Sequence, residues 1–168
     1  QPQDADAIRN DGFTNVIPIE EIKTIDGISI YRTTGHHGFG QIGQMMGPVS
    51  GYVLKAEGFP TVYIMGDCRW EACIRDTVER FNPDYIVVNS GGAIFPEFSK
   101  TDGPIIPDEN EVMQILDELP SHIKLIAVHM DAIDHCQTTR AILRNEATHH
   151  EADMSRLIIP EDGETVVL

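Results

Sequence analysis

The stretch IKLIAVHMDAIDHCQTTRAILRNEA, Ile123 to Ala147, contains the alternation that decides the fold class. Its apolar opening predicts a buried strand, because consecutive apolar residues leave no face of the strand for water. Its second part, TTRAILRNEA, predicts a helix. A buried strand followed by a helix is the unit from which layered α/β folds are built.

The same alternation continues toward the amino terminus. DYIVVNSGG, Asp84 to Gly92, predicts another buried strand, and a helix is predicted on each side of it. The earlier helix, Arg69 to Phe81, has apolar residues at three- and four-residue spacing and stops at Pro83. The later helix lies in PDENEVMQILDELP, where Asp108 is at a plausible cap position. Its apolar stripe contains Val112, Ile115, Leu116 and Leu119.

Shorter elements complete the pattern. We expect a helix in residues 1–13, strands at NVIPI (15–19) and GISIYRT (27–33), a hairpin of SGYVLKAEG (50–58) with TVYIMG (61–66), and two final strands around EDGE (161–164). Together these elements predict a single α/β domain over residues 1–168, with helices packed on a sheet.

Composition restricts the classes of partner. With 27 acidic against 12 basic residues the net charge is -15, and such a surface repels nucleic acid. We find neither an apolar run of the roughly 20 residues that a membrane span needs nor an opening signal segment, so we expect a cytoplasmic protein without a membrane partner. Three cysteines, Cys68, Cys73 and Cys136, are too few for a disulfide framework and are expected to be buried free thiols.

A glycine motif raises a third hypothesis, that the protein is a dinucleotide-binding oxidoreductase. Gly38 to Gly43 matches GxGxxG, which binds pyrophosphate when its last glycine opens a helix. Gly47 and Pro48 would end such a helix within about one turn. The oxidoreductase hypothesis requires a helix of roughly ten residues after Gly43, and a strand from Ser50 onward would exclude it.

Ligand-type residues end three apolar strands. His36 and His37 follow ISIYRTTG, Asp67 follows TVYIMG, and His129 follows IKLIAV, with His135 slightly later. Strand ends can direct side chains to one point, and histidine with carboxylate suits zinc or manganese. Each residue alone also has an ordinary explanation, as a turn histidine, a cap for the Arg69 helix or a core histidine.

Five blocks of sequence in order, GHHGFGQIGQMMGPVSGYVL, VYIMGDCRW, PDYIVVNSGGA, AVHMDAIDHCQTTR and PEDGE, resemble the metallo-β-lactamase superfamily. The resemblance extends from about Asp4 to the end and implies an αβ/βα sandwich. It covers only the second half of that fold, as a mixed sheet with flanking helices. The HxHxDH block, which the family has upstream, does not occur here, so the chain resembles a truncated C-terminal portion.

The resemblance also implies site residues. His37, Asp67 and His129 correspond to metal ligands, and Asp67 to the catalytic carboxylate that bridges two ions. His36 and His135 are the less favoured alternatives at their positions. Cys68 stands where relatives often have threonine and adds a thiol that zinc could recruit.

The implied function is a metal-dependent hydrolase that uses a metal-bound hydroxide on an ester, lactone, amide or phosphoester. The intact protein would hold two divalent ions, zinc or alternatively manganese, whereas this fragment is expected to be inactive. The expected partner is a small-molecule substrate, and a homo-oligomer is compatible with the sequence. The alternative is a non-catalytic binding or interaction protein of the same fold that lacks the first metal block.

Three further features have two interpretations each. Asn89, Ser90 and the glycines 91–92 either line the pocket or form a glycine turn. Arg140 either binds an anionic substrate group or is an arginine of the surface or of the helix N-terminus. The histidines of THHE, Thr148 to Glu151, are interpreted as solvated in a polar helix-to-strand loop.

Overall fold

The computed structural model describes residues 1–98 and 101–168. A short 3-10 helix, Pro2–Asp4, precedes the first α-helix. The α-helices are α1 (Ala5–Asn10), α2 (Gly40–Met46), α3 (Ala72–Phe81), α4 (Glu109–Glu118) and α5 (Arg140–His149). The strands are β1 (Ile22–Ile25), β2 (Ile28–His36), β3 (Pro48–Lys55), β4 (Val62–Ile64), β5 (Tyr85–Asn89), β6 (Lys124–Val128) and β7 (Leu157–Ile158).

The seven strands form one mixed sheet in the order β1-β2-β3-β4-β5-β6-β7. Neighbours are antiparallel from β1 to β4 and parallel from β4 to β7. The predicted α/β class with a mixed sheet and flanking helices is therefore confirmed. The second sheet of the implied sandwich is not among the described residues.

Five strands end at the same edge of this sheet, β7 and the four described next. Both β2 and β4 are antiparallel to β3, so they run in the same direction, and β5 and β6 are parallel to β4. Their last residues are His36, Ile64, Asn89 and Val128. We call this edge the carboxyl edge.

The main core lies between the sheet and helices α3, α4 and α5. Val53, Tyr63, Ile86 and Leu125 are paired across β3 to β6, and all four side chains are fully buried. They belong to one cluster with apolar residues of the three helices. Each parallel strand from β5 to β7 is added to the sheet on the same side of the strand before it. Right-handed crossovers therefore place all three helices on one face of the sheet. Each such buried side chain contributes about 1.5–3 kcal/mol.

A smaller apolar cluster, which we call the loop cluster, connects α2 with the segments that follow β5 and β6. Its buried members are Ile42, Ala93, Ile105, Ile106 and Cys136. This cluster supports the loops that leave the carboxyl edge.

Most predicted elements are confirmed. The three predicted helices in residues 69–147 are α3, α4 and α5, although α3 begins at Ala72. The side chain of Asp108 accepts a bond from the Glu111 backbone N–H and caps α4. The hairpin of β3 and β4 is antiparallel, as expected.

Two predicted strands are wrong, and one strand was not predicted. Residues 15–19 form no strand, since Pro18 has no N–H to donate to a ladder. Residues 164–168 also form none, and Val167 is 89% exposed. The unpredicted strand, β1, has four exposed residues and exists because it pairs with β2. Within the described ranges, no helix has the length and apolar character needed to cross a membrane.

Candidate metal-binding site

The three favoured ligand candidates leave the sheet at the carboxyl edge. His37 directly follows β2, His129 directly follows β6, and Asp67 follows β4 after two residues. Because the antiparallel β3 lies between β2 and β4, these two strands run in the same direction. The end of β2, which carries His37, is therefore at the same edge as the ends of β4 and β6.

The pKa of His37 reports which charges lie around it. Burial lowers this pKa, while the negative charge of Asp67 raises it, and His129 and His135 lower it further. The side chains of Asp67, His129 and His135 are therefore each within electrostatic range of His37. The net lowering favours the neutral imidazole, which is the form that binds metal.

His36 has different surroundings. Its ring Nδ1 lies 2.8 Å from Glu71 Oε1, and its backbone N–H donates to the same oxygen at 2.8 Å. The His36 side chain is 67% exposed. Glu71 therefore binds His36 away from the group that surrounds His37.

Asp67 is held by its neighbour on β5. The side-chain amide of Asn89 donates to Asp67 Oδ1 at 2.6 Å. The N-cap residue of α3 is Glu71, so Asp67 does not cap that helix and this ordinary explanation is wrong. Asn89 thus fits the pocket-lining interpretation, whereas Ser90 is fully buried and donates to the Val128 carbonyl.

His129 lies in a tightly packed turn. Its φ of 65° is in the left-handed region, as is that of Asp131 at 62°. A side chain at Gly91 would place its Cβ 2.4 Å from the His129 carbonyl and 2.7 Å from Cys136 Sγ, so only glycine fits there. On the ring, Cys136 Sγ lies 3.8 Å from His129 Nδ1.

His135 stacks on Phe95, with ring centroids 5.2 Å apart, and lies 3.6 Å from Asp134. The ring is therefore held at the side of the site by an aromatic contact. This arrangement gives His135 a packing partner in addition to its electrostatic effect on His37.

The glycine motif builds the loop that carries His37 and does not form a phosphate site. α2 contains only seven residues, and β3 begins at Pro48, so the dinucleotide hypothesis is excluded by its own criterion. Gly38 has a φ of 84°, and a Cβ at Gly43 would lie 2.3 Å from the Gly38 carbonyl oxygen. The two glycines therefore allow the turn and the close approach of α2.

Arg140 is a structural clamp. Its guanidinium donates to the Pro160 carbonyl at 2.7 Å, to Asp131 Oδ2 at 2.8 Å and to Asp162. The Arg140 side chain is only 11% exposed. Its bonds join the end of the chain to the loop after β6. This geometry disagrees with the interpretation that Arg140 binds an anionic substrate.

The remaining sequence features have structural roles. His149 and His150 are exposed, as expected, although α5 extends through His149 and His150 pairs with Asp117 at 2.9 Å. Cys68 and Cys136 are buried free thiols, and Cys73 is half-buried. Burial raises the pKa of Cys68 to about 12, which disfavours the thiolate that zinc binds.

Known proteins are similar to this chain in sequence and in fold. The UPF0173 protein YddR of Bacillus subtilis is 32% identical over 164 residues, which cover 96% of this chain and 62% of YddR. A possible metal-dependent hydrolase from Veillonella parvula superposes with a TM-score of 0.91 at 30% identity. The match covers 100% of this chain and 64% of the hydrolase chain. An isothiocyanate hydrolase from Delia radicum gut bacteria has a TM-score of 0.88 at 33% identity, and the match covers 99% of this chain and 66% of that hydrolase.

A structure with lower sequence identity has a fold of known name. The metallo-β-lactamase fold protein YhfI of Bacillus subtilis superposes with a TM-score of 0.57 at 15% identity, over 94% of this chain and 60% of YhfI. The chain has the metallo-β-lactamase fold. No protein-family model matches it. The chain spans less than two thirds of the length of these relatives.

The donor types suit a divalent metal ion, because imidazole and carboxylate bind zinc and similar ions. Within the described ranges, however, no three histidine, cysteine, aspartate or glutamate side chains lie close enough to hold an ion by themselves. The described part of the chain therefore provides suitable donor residues at one edge of the sheet, but not three of them close enough together to bind an ion.

Sequence reasoning missed two residues beside this site, Arg69 and Glu111. Arg69 Nε donates to Glu111 Oε2 at 2.6 Å, and Glu111 is buried despite its charge. Burial raises the pKa of Glu111, while the positive charge of Arg69 and the Trp70 N–H oppose that shift. One signal in the sequence points to Glu111: it lies four residues before Ile115, on the apolar stripe of α4.

Proposed function

We propose that the protein is a metal-dependent hydrolase of small molecules, in which His37, Asp67 and His129 bind the metal. One observation carries this proposal: three residues of metal-binding types follow three strands at one edge, and the charges of Asp67 and His129 act on His37. The names of the two similar structures, a possible metal-dependent hydrolase and an isothiocyanate hydrolase, support it.

Each residue has a separate role in the proposal. His37 and His129 supply neutral imidazole nitrogens, and Asp67 supplies the carboxylate that neutralises the metal charge. Asn89 orients Asp67 by its bond to Oδ1. Such a bond to a ligand fixes its direction and is part of how a protein tunes a metal site.

The metal, when bound, supplies a nucleophile from water near neutral pH and polarises the substrate. Zinc is our first choice, manganese the alternative, and two ions the proposed number in the complete protein.

For the substrate we propose an isothiocyanate or another small molecule with an electrophilic carbon, such as a lactone. Water adds to the central carbon of an isothiocyanate to give a thiocarbamate, which then releases an amine and carbonyl sulfide. The similarity to the isothiocyanate hydrolase supports this choice.

The test uses the protein expressed from its complete gene. Metal content is measured for the wild type and for His37→Ala, Asp67→Asn and His129→Ala, together with turnover of an aryl isothiocyanate, a lactone and a phosphodiester. We expect about two ions per chain in the wild type. Each variant should lose more activity than the roughly 10- to 100-fold typical of residues that only support a ligand.

His36→Ala is the matched control, because it changes the adjacent histidine, which Glu71 binds elsewhere. It should keep metal content and turnover near the wild-type values. If Asp67→Asn keeps both as well, the proposed ligand set is wrong. A wild-type protein that binds no metal and hydrolyses none of the three substrates would favour the non-catalytic alternative.

A further inference from the structure

A buried ion pair lies directly behind the candidate site. Arg69 Nε and Glu111 Oε2 are 2.6 Å apart, and their side chains are only 15% and 9% exposed. The second carboxylate oxygen of Glu111 accepts the backbone N–H of Trp70 at 2.7 Å. Glu111 therefore binds the chain at two successive residues, immediately after Asp67 and Cys68.

The pair also reaches the loop that carries His37. The backbone N–H of Arg69 donates to the His36 carbonyl at 3.0 Å. Its guanidinium lies 5.1 Å from the centroid of the Phe39 ring. His37 therefore lies, in the sequence, between His36 and Phe39, and both of these residues contact Arg69.

A third segment joins at the same guanidinium. Arg69 donates through a terminal nitrogen to the Pro104 carbonyl. The adjoining residues bond to the loop after β5, since Ile105 N–H donates to the Ala93 carbonyl and Gly92 N–H to that of Pro107. Arg69 therefore lies where the loops from β2, β4 and β5 meet.

Glu111 is a rigid anchor for these contacts. Its own N–H donates to the Asp108 cap at 2.9 Å, in the first turn of α4. The following residue, Val112, is fully buried in the main core. The anchor is thus fixed to the main core.

Stability alone does not explain a pair of this kind. Removing two charges from water offsets much of their attraction, so a buried ion pair contributes little net stability. What it supplies is direction, because the planar guanidinium can bind a carboxylate, a carbonyl and a ring face at once. We propose that Arg69 and Glu111 are positioning residues that fix the loop carrying His37 relative to the loop carrying Asp67.

This inference rests on the proposed function for its effect on metal and activity, whereas its effect on the loops rests on the contacts alone. The test variant is Glu111→Gln, which has nearly the same shape and keeps an oxygen for the Trp70 N–H. Arg69→Lys is the second variant, since it keeps the charge and loses the fork. Ile115→Val is the matched control, because Ile115 is fully buried on the same helix and outside the pair.

Three measurements on the protein from its complete gene separate positioning from ordinary stability. Hydrogen exchange is followed in residues 35–40 and 66–70, zinc affinity by competition with a chelator, and kcat and KM on a hydrolysed substrate. In both test variants we expect faster exchange in both segments. We also expect a loss of about 10- to 100-fold in zinc affinity, as for other residues that orient ligands. kcat should fall while KM changes by no more than about twofold.

The control decides the outcome. Ile115→Val should lower the melting temperature without changing exchange in these segments or zinc affinity. If Glu111→Gln behaves like Ile115→Val in both measurements, the positioning role is wrong. If the wild type itself binds no zinc, the proposed function fails, and the exchange comparison alone then upholds or overturns the positioning role.

Discussion

Two adjacent histidines have different surroundings because successive side chains at a strand end project to opposite sides. His36 meets Glu71, and His37 meets Asp67 and the histidines that follow β6. A spacing pattern along one strand cannot distinguish these outcomes, since both residues have the same chemistry. The partner on another element distinguishes them.

Thiol reactivity tests the surroundings of single residues. Burial raises the pKa of Cys68 to about 12 and that of Cys73 to about 11, and the charge of Glu71 adds to both shifts. Both thiols are thus protonated near pH 8.5, and the thiolate is the reactive form. We expect iodoacetamide to modify Cys73 roughly a hundredfold more slowly in the native protein than in urea, and Cys68 more slowly still.

Peptide mass spectrometry after timed labelling measures both rates. The urea sample is the control, because unfolding removes the burial and the neighbouring charge. Equal rates for Cys73 in the two samples would show that its thiol is not shielded as described.

At the scale of the elements, the helices differ in how their ends are held. Asp108 caps α4, and the Thr139 hydroxyl accepts the Ile142 N–H at 3.1 Å to cap α5. Among the described residues, none caps α3 with a side-chain bond, although the last turn of α3 closes at Asn82 in the left-handed conformation. The cap of α5 lies beside Arg140, which clamps the end of the chain.

Removal of this cap should destabilise the protein measurably. We expect Thr139→Ala to lower the free energy of unfolding by about 1 kcal/mol, because the Ile142 N–H loses its partner. Thr148→Ala is the matched control on the same helix, where an exposed hydroxyl bonds to the Arg144 carbonyl. Urea titration of both variants checks the prediction, and equal losses would contradict the capping role.

At the scale of the whole molecule, the fold has two apolar clusters with different positions. The main core joins the sheet to α3, α4 and α5, whereas the loop cluster joins α2 to the segments after β5 and β6. Regions with fewer buried contacts open more readily than the core. The loops of the candidate site therefore rest on the smaller of the two clusters.

Two truncations of similar chemistry should separate these clusters. Leu125→Ala in the main core should cost about 2–5 kcal/mol of global stability. Ile42→Ala in the loop cluster should mainly increase local opening of α2 and of residues 93–98. Native-state hydrogen exchange resolves the two effects. If Ile42→Ala accelerates exchange in β5 and β6 as strongly as in α2, the clusters form one cooperative unit.

Much of the fold could be predicted from local patterns. The periodic residues of α3 and α4 and the apolar runs of β5 and β6 contain enough information to identify them. By contrast, β1 has no buried face and forms only by pairing with β2. Arg69 and Glu111 escaped prediction because they lie far apart in the chain, and only packing makes one the partner of the other.

The sequence by itself determined the helices α3, α4 and α5 and the buried strands β5 and β6, and that metal-binding residue types follow three apolar strands, because periodicity and composition are local properties. Only the tertiary structure decided that these strand ends share one edge. The antiparallel β3 must lie between β2 and β4 for His37 to join Asp67 and His129. Strand order and direction depend on pairing between distant segments, whose free energy no short stretch contains.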